Sequence, residues 1–195
     1  MREAKINRNT KETKISLTLN LDGQGKADIN TGIPFLNHML ELFTKHGLFD
    51  LIINAKGDID VDYHHTVEDI GICLGSAFQQ ALGTGKSITR YSSGLIPMDE
   101  ALTQIAIDIS GRPYLSFIAE NLIGKTGDFD IDLLKEFFLA FVNNAKLTLH
   151  LQVLAGDNLH HIAESCFKGV GIKLDEATKI DNRKSDIPST KGNLF

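Results

Sequence analysis

The sequence predicts an α+β fold built from two copies of one β, β, α, β, α unit, with sheet packed against helices. The first observation behind this prediction is a five-residue pattern, H-H-x-x-E, that occurs at residues 64–68 and again at 160–164. The second is that a Gly-Asp pair precedes each copy, at 57–58 and 156–157, after a run rich in strand-forming residues. Because the pattern repeats together with its surroundings, we expect an internal duplication.

Residues 1–92 are predicted to form the first half. Alternating apolar and polar residues over 13–21 predict a strand that ends in a turn at 22–25, and another strand is expected after that turn. Apolar residues at helical spacing over 35–45 predict a helix, and the apolar run 49–54 predicts the next strand. The first H-H-x-x-E pattern then opens the second helix.

Residues 93–180 are predicted to repeat this order. Alternation over 102–109 predicts a strand, and a Ser-Gly-Arg-Pro turn at 110–113 stands where the first half has its Asp-Gly turn. Apolar residues at helical spacing over 132–143 predict a helix, and a strand-like run over 146–154 follows. The second H-H-x-x-E pattern opens the last helix.

The repeated pattern has the residue types of a metal site. A helix turns about 100° per residue, so adjacent imidazoles diverge and one ion cannot easily take both. The glutamate falls angularly between them, which suits a glutamate and one histidine on one ion and the second histidine on another. Two copies therefore predict a two-metal centre built from both halves. The candidate ligands are His64, His65, Glu68, His160, His161 and Glu164.

Alignment of the halves nominates one further ligand on each earlier helix. When the two patterns are superposed, with a two-residue difference in the turn before them, His38 falls opposite Glu136. Both residue types bind metals, so the pseudo-symmetry favours both as ligands. Taken singly, Glu136 reads as a solvated helix residue and His38 as an ordinary polar residue.

The remaining histidines and the cysteines carry weaker signals. His46 lies in a Lys-His-Gly helix end, where a C-terminal cap is the ordinary interpretation, but it follows His38 by two turns and so has a position to face a ligand. His150 lies in a predicted strand and is interpreted as structural. Cys73 and Cys166 follow the two patterns in apolar helical surroundings, which favours buried reduced thiols over a disulfide.

Composition excludes several classes of protein. The 195 residues are enough for one sizeable domain or two small ones. A formal net charge of −5 disfavours a nucleic-acid partner, although it allows a local basic pocket. No apolar run approaches about 18 residues and the N-terminus has no hydrophobic signal segment, so no membrane partner is predicted and a cytoplasmic location is expected.

An ordered series of motifs runs through nearly the whole chain. The segments are 10–13, 32–40, 45–50, 62–69, 98–102, 111–115, 147–150 and 188–192, together with the second H-H-x-x-E. By this series the sequence resembles the imidazoleglycerol-phosphate dehydratase family, the hydro-lyases of histidine biosynthesis. The resemblance implies halves of the ribosomal protein S5 domain 2-like kind and a small phosphorylated substrate, imidazole glycerol phosphate. It also implies two Mn2+ ions per active site and a homo-oligomer of 24 chains with sites between subunits.

The resemblance implies a role for each candidate residue. The implied metal ligands are His38, His64, His65, Glu68, Glu136, His160, His161 and Glu164. Several relatives have a ligating histidine at the position of Glu136. The implied catalytic residues are Glu12, in a Thr-x-Glu-Thr segment, and His46. The implied phosphate and substrate contacts are Arg90, Arg112, Lys168, Ser189, Thr190 and Lys191.

Three positions or segments have special expectations. The polar segment 181–195 is predicted to be a flexible tail that contributes to the substrate site. Asn37 stands where the family usually has aspartate, and Tyr63 where aspartate or histidine is more usual. Because each residue is next to an implied ligand in the sequence, its side chain is expected to contact the groups that surround the metal ligands.

Two other classes of protein stay open on the residues alone. A binuclear metallohydrolase acting on a phosphate ester uses the same ligand types, although it is normally richer in aspartate ligands. A non-catalytic metal-binding assembly protein can also use H-H-x-x-E, but it has no need of Glu12 or of the cationic cluster. Imidazole and carboxylate donors suit manganese, iron, zinc or cobalt, so these donors do not identify the metal.

Overall fold

Each half of the chain forms a four-stranded sheet with two helices packed against one face. The computed structural model describes residues 2–120 and 122–195. The elements of the first half are β1 (Glu3–Asn9), β2 (Thr13–Asn20), β3 (Ala27–Asn30), α1 (Pro34–Gly47), β4 (Asp50–Gly57) and α2 (His64–Leu82). Those of the second half are β5 (Tyr91–Met98), β6 (Ala101–Asp108), β7 (Tyr114–Ile118), β8 (Lys125–Thr126), β9 (Phe129–Asp130), α3 (Leu133–Ala145), β10 (Thr148–Ala155) and α4 (Leu159–Thr178). The predicted α+β class is confirmed.

The order of elements corrects the predicted unit in two places. β1 and β5 open the halves, so the unit is β, β, β, α, β, α rather than β, β, α, β, α. Both are edge strands whose residues alternate between exposed and half-buried, so neither has the fully buried apolar face that reveals a strand in a sequence. The predicted unit also lacks the short β8–β9 hairpin, which precedes α3.

The two sheets share one topology. The strand orders are β1-β2-β4-β3 and β5-β6-β10-β7. β3 runs parallel to β4 and β7 parallel to β10, whereas the other pairs in these sheets are antiparallel. Since α1 connects one parallel pair and α3 the other, each half contains a βαβ crossover. β5 begins at Tyr91, so the predicted division between residues 92 and 93 lies inside this strand.

The helices join the two halves. α1 and α2 lie on the first sheet and α3 and α4 on the second, and the helix layers meet with α1 against α4 and α2 against α3. Glycines allow this approach: a Cβ at Gly71 in α2 would lie 2.7 Å from the carbonyl oxygen of Phe137, and one at Gly171 in α4 would lie 2.5 Å from that of Phe43. Among the described residues, no helix combines the length and the apolar composition needed to cross a bilayer.

The C-terminal segment 181–195 folds back along the second half. Lys184 Nζ donates to the carbonyl oxygen of Ile88 at 3.0 Å, and Leu194 is buried beside Gly111. These contacts place the segment next to the start of β5. Its predicted flexibility stays a prediction.

Candidate active site

Three metal-capable side chains meet where α1 packs against α4. Nε2 of His38 lies 3.0 Å from Oε1 of Glu164, and Nε2 of His160 lies 3.1 Å from the same oxygen. One donor atom of each side chain lies within 4.8 Å of the others, so a single ion can be bound by all three. Two imidazoles and a carboxylate fit a divalent transition metal. We call these three residues the α1–α4 cluster, which takes one donor from the first half and two from the second.

Glu164 has a buried carboxylate that accepts hydrogen bonds from a lysine and a histidine. Its side chain is 9% exposed, and Lys168, one turn further along α4, donates from Nζ to its second oxygen. Burial raises the pKa of Glu164, but the hydrogen bonds from Lys168 and His38 outweigh this effect and hold the pKa at about 2. The carboxylate is therefore ionised at neutral pH and available as a ligand.

A cavity of about 490 Å³ opens over the histidines of this cluster. The β8–β9 hairpin forms one wall, where the ring centroid of Phe129 lies 4.9 Å from that of Phe35 and 6.4 Å from that of Tyr63. His38 and His160 supply polar groups to a lining that is otherwise largely aromatic and aliphatic. Such a cavity suits a flat heterocyclic ring.

The first H-H-x-x-E copy lies at the start of α2. Nε2 of His64 is 4.0 Å from Oε2 of Glu68, one helical turn away. His65 faces Asp58 in the loop after β4, and Nδ1 of the ring lies 2.9 Å from Oδ2 of this carboxylate. The hydrogen bond to Asp58 raises the pKa of His65. The carboxylate of Glu12 lies 4.0 Å from the other ring nitrogen, Nε2.

Adjacent imidazoles diverge in both copies, as helical geometry predicts. The rings of His64 and His65 are inclined at 89°, and those of His160 and His161 at 84°. One ion can therefore take one histidine from each pair and leave the second histidine for another partner.

Glu100, in the turn between β5 and β6, holds the second histidine of the other copy. Its Oε2 lies 2.7 Å from Nδ1 of His161, and its Oε1 accepts from the backbone N–H of Asn158 at 3.0 Å. These hydrogen bonds lower the pKa of Glu100 to about 2, and the one from His161 has the largest effect. The contact between Glu100 and His161 also raises the pKa of His161. The imidazole is thereby fixed in orientation.

A second cavity, of about 690 Å³, lies between the C-terminal segment and the start of β5. The polar residues that line it include Arg90, Arg112, Ser189, Thr190 and Lys191. Arg90 is anchored, because Nε donates to Asp108 at 2.7 Å and Nη1 to the carbonyl oxygen of Pro188 at 2.7 Å. Arg112 is 65% exposed and lies 3.7 Å from the same aspartate. Cations and hydroxyls in one cavity suit a phosphate group.

Comparison with known proteins decides the family. Residues 31–174 match the family described as imidazoleglycerol-phosphate dehydratase. The chain belongs to this family. The imidazoleglycerol-phosphate dehydratase of Azorhizobium caulinodans is 56% identical over 195 residues, covering 100% of this chain and 99% of that protein. That of Citrifermentans bemidjiense is 55% identical over 193 residues, covering 99% of each.

Solved structures of imidazoleglycerol-phosphate dehydratases have the same fold. The crystal structure from Staphylococcus aureus superposes with a TM-score of 0.83 at 41% identity, covering 92% of this chain and 99% of that one. The structure from Pyrococcus furiosus gives a TM-score of 0.82 at 37% identity, covering 96% of this chain and 99% of that one. The two-half repeat observed here is thus the fold of the imidazoleglycerol-phosphate dehydratase family.

Within one chain, the structure brings together three of the eight ligands predicted for a member of the imidazoleglycerol-phosphate dehydratase family. Among residues 2–120 and 122–195, the α1–α4 cluster is the one group with three donors in reach of a single ion. His64, His65 and Glu68 share the start of α2, and His161 pairs with Glu100. Glu136 lines a different cavity on α3.

The predicted catalytic and phosphate residues fall at several places. Glu12 is exposed in the turn between β1 and β2, which Thr10 braces by accepting from the backbone N–H of Glu12 at 3.1 Å. His46 lies in the last turn of α1, where partial burial and the Lys168 ammonium lower its pKa. Lys168, predicted at the phosphate, lies instead against Glu164, whereas the other five predicted phosphate residues share the 690 Å³ cavity.

Sequence reasoning missed the carboxylates that hold the histidines. In the sequence, Asp58 stands out only as part of a Gly-Asp turn, and Glu100 only as part of the 98–102 motif. The usable signal is an acidic residue in a turn beside each H-H-x-x-E helix. Of the two departures from the family pattern, Tyr63 does line the cavity over the α1–α4 cluster. Asn37 instead accepts from the hydroxyl of Thr31 at 2.6 Å and supports the loop before α1.

Proposed function

We propose that this chain dehydrates imidazole glycerol phosphate to imidazole acetol phosphate in histidine biosynthesis, as a metal-dependent hydro-lyase. The observation that carries the proposal is the presence of an α1–α4 cluster of metal donors under an aromatic cavity, in a chain that matches named imidazoleglycerol-phosphate dehydratases over its full length. A separate cavity lined by arginine and lysine side chains supports the proposal that the substrate carries a phosphate group.

The metal proposed is Mn2+, with two ions per active site. The α1–α4 cluster would hold one ion, and the donors on α2 and α3, namely His64, Glu68 and Glu136, would contribute to the other. His65 and His161 would each supply Nε2, because Nδ1 of each ring is occupied by a carboxylate. When bound, divalent ions at the nitrogens of the substrate's imidazole ring would stabilise negative charge on that ring.

The overall reaction removes a hydroxyl from the carbon attached to the ring and a proton from the next carbon, and the enol formed becomes the ketone. An acid–base group is needed for the proton, and Glu12 has an exposed carboxylate 4.0 Å from His65 Nε2. His46 is a second candidate, since its lowered pKa favours the neutral ring that can accept a proton. The aromatic walls around Phe129 would hold the ring flat and exclude water.

At the phosphate end, the residues differ in what they can do. Arg90 already donates to Asp108 and to the C-terminal segment, so its role would be to fix the cavity as well as to contribute charge. Arg112 and Lys191 are exposed and would bind the phosphate directly. Ser189 and Thr190 add hydroxyl donors.

We further propose that the active site is shared between chains of a homo-oligomer, most simply the 24-chain assembly of the family resemblance. The support is that, among the described residues of a single chain, Glu136 and the α2 donors are not close enough together to bind one ion, whereas the residues of the α1–α4 cluster are. Donors from a neighbouring chain would complete the set. The C-terminal segment would contribute its Ser-Thr-Lys residues at the same place.

The test is a turnover assay on imidazole glycerol phosphate with metal-stripped protein, before and after addition of Mn2+. We expect no dehydration without metal and full recovery with it, and elemental analysis of the loaded protein should give two ions per chain. Release of inorganic phosphate without dehydration would favour a metallohydrolase. Binding of Mn2+ with neither reaction would favour a non-catalytic assembly protein.

A further inference from the structure

Two glutamates occupy the same place in the duplicated fold. Glu12 lies in the turn between β1 and β2, and Glu100 lies in the turn between β5 and β6, each one residue before the second strand of its half. Each faces the second histidine of the nearby H-H-x-x-E pair, His65 in one half and His161 in the other.

The two glutamates meet opposite edges of these rings. Glu100 is hydrogen-bonded to Nδ1 of His161 at 2.7 Å and leaves Nε2 uncovered. Glu12 faces Nε2 of His65 at 4.0 Å, beyond hydrogen-bond distance. Nδ1 of His65 is instead bonded to Asp58, from the loop between β4 and α2, at 2.9 Å. Both rings therefore have a carboxylate on Nδ1, but from different places in the fold.

The counterpart of Asp58 in the second half does not have this contact. Asp157 follows Gly156 as Asp58 follows Gly57, yet its side chain is exposed and, within the described residues, it is not hydrogen-bonded to a histidine. The orienting carboxylate thus comes from the loop in the first half and from the strand turn in the second.

The geometry points to Asp58 and Glu100 as the positioning residues of the two halves, each holding Nδ1 of its histidine so that Nε2 is presented to a metal ion. A carboxylate behind a ligand imidazole fixes its tautomer and orientation and strengthens the nitrogen as a donor. Because Asp58 fills this role in the first half, the turn glutamate there, Glu12, is left exposed beside the metal-facing edge of His65. The inference rests on the proposed function, and it explains why one of two equivalent glutamates is available for acid–base chemistry.

The packing around both carboxylates supports the assignment. Oδ1 of Asp58 is buried and has no hydrogen-bond partner in the described structure, so the contact of Oδ2 with His65 is the side-chain hydrogen bond that holds this carboxylate there. Glu100 is tied to the start of α4 through the backbone N–H of Asn158. Neither carboxylate can turn away without losing a specific contact.

The test compares Mn2+ affinity with turnover in four assembled variants. Affinity is measured by competition with a chelator of known strength, and turnover is measured at limiting and at saturating Mn2+. Asp58→Asn and Glu100→Gln should bind Mn2+ about ten-fold or more weakly, with turnover recovering as Mn2+ is raised. Glu12→Gln should keep its Mn2+ affinity within about three-fold and lose turnover by about 100-fold or more at every Mn2+ concentration. Asp157→Asn is the matched control and should behave as the unaltered chain.

Unchanged Mn2+ affinity in Asp58→Asn and Glu100→Gln would overturn the proposal, and so would loss of Mn2+ from Glu12→Gln. If an amide variant fails to assemble, Asp58→Glu and Glu100→Asp retain the carboxylate and should bind Mn2+ more tightly than Asp58→Ala and Glu100→Ala. An equal loss in both kinds of variant would also overturn it. If the unaltered chain dehydrates nothing, the proposed function fails, whereas the chelator competition still decides the positioning roles.

Discussion

At the scale of single residues, Glu164 is a buried, ionised carboxylate at the centre of the α1–α4 cluster. Its carboxylate is buried and is stabilised by donors from two helices, His38 on α1 and Lys168 on α4. A buried charge without such partners is strongly destabilising, so the cluster depends on these contacts before any metal arrives.

The contacts of Glu164 make an acid-dependent prediction. Its pKa is about 2 in the folded chain and near 4.5 when unperturbed, so its contribution to stability is present above pH 4.5 and is lost as the pH falls toward 2. Glu164→Gln should therefore lower the free energy of unfolding most at neutral pH, and the difference from the unaltered chain should shrink in acid. Unfolding followed by circular dichroism in the presence of chelator measures this. The control is Glu41→Gln, an exposed position on α1, and a difference that does not depend on pH would contradict the prediction.

The two ends of the proposed site should respond differently to substitution. His65→Ala removes a proposed metal donor, so metal content and turnover should fall together. Arg112→Ala and Lys191→Ala remove cations that are proposed to contact the phosphate in both the ground state and the transition state. They should raise KM by about ten-fold or more and leave metal content unchanged, if each charge-assisted bond contributes about 1.5–3 kcal/mol. Steady-state kinetics with elemental analysis checks this, and loss of manganese from Arg112→Ala would contradict the assignment.

The sequence revealed the candidate ligands because they repeat. The repeated pattern and its symmetry predict His38 and Glu164 in one metal centre, and in the structure Nε2 of His38 lies 3.0 Å from Oε1 of Glu164. The carboxylates that hold the histidines, Asp58 and Glu100, were not predictable from the sequence. They lie in loops, and a periodic pattern does not reveal which loops pack close to a given helix. Glu136 matched His38 by symmetry, yet in one chain it lines its own cavity.

At the scale of elements, contact between helices depends on glycines with no room for a side chain. A Cβ at Gly75 in α2 would overlap the carbonyl oxygen of Phe141 and lie 2.9 Å from the backbone nitrogen of Ala145. Because the obstructing atoms are backbone of α3, relief requires the helices to separate. The close packing of α2 on α3 is therefore specified by this residue.

Gly75→Ala should accordingly destabilise the chain. Overpacking costs about 1–3 kcal/mol, which outweighs the helix propensity of alanine over glycine of about 1 kcal/mol when the backbone cannot yield freely. We expect a lower free energy of unfolding in urea, measured at matched protein concentration. Ser76→Ala, the next position and half-buried, serves as control and should change stability little. Equal or greater stability of Gly75→Ala would show that α2 and α3 lie further apart.

Elements with strong periodicity were predictable and edge elements were not. The strands at the centre of each sheet have fully buried alternate residues, as in β2 with Leu17 and Leu19, and this contrast is visible in the sequence. β1 and β5 are edge strands that pair with a single neighbouring strand, and their residues alternate only between exposed and half-buried. The β8 and β9 strands have two residues each, too short for any period to register.

At the scale of the whole molecule, the proposed sharing of metal donors between chains predicts a link between metal and assembly. If Mn2+ binds only the assembled form, removing it shifts the equilibrium toward smaller species through mass action. Light scattering should report a lower particle mass after chelation and recovery when Mn2+ is restored. An identical mass in both conditions would count against metal-driven assembly, and Mg2+ added in place of Mn2+ is a control for ionic effects.

The pairing of α1 with α4 and of α2 with α3 has an evolutionary consequence. Exchanging the two halves maps one helix pair onto the other, which is the relation found in a two-fold symmetric dimer. Two identical half-length chains joined by these contacts would have two identical clusters, and a mutation would alter both at once. Fusion into one chain removes that constraint: Lys168 stands one turn after Glu164, whereas Ile72 stands one turn after Glu68. A single chain that holds both halves can therefore carry a different residue at each of two equivalent places.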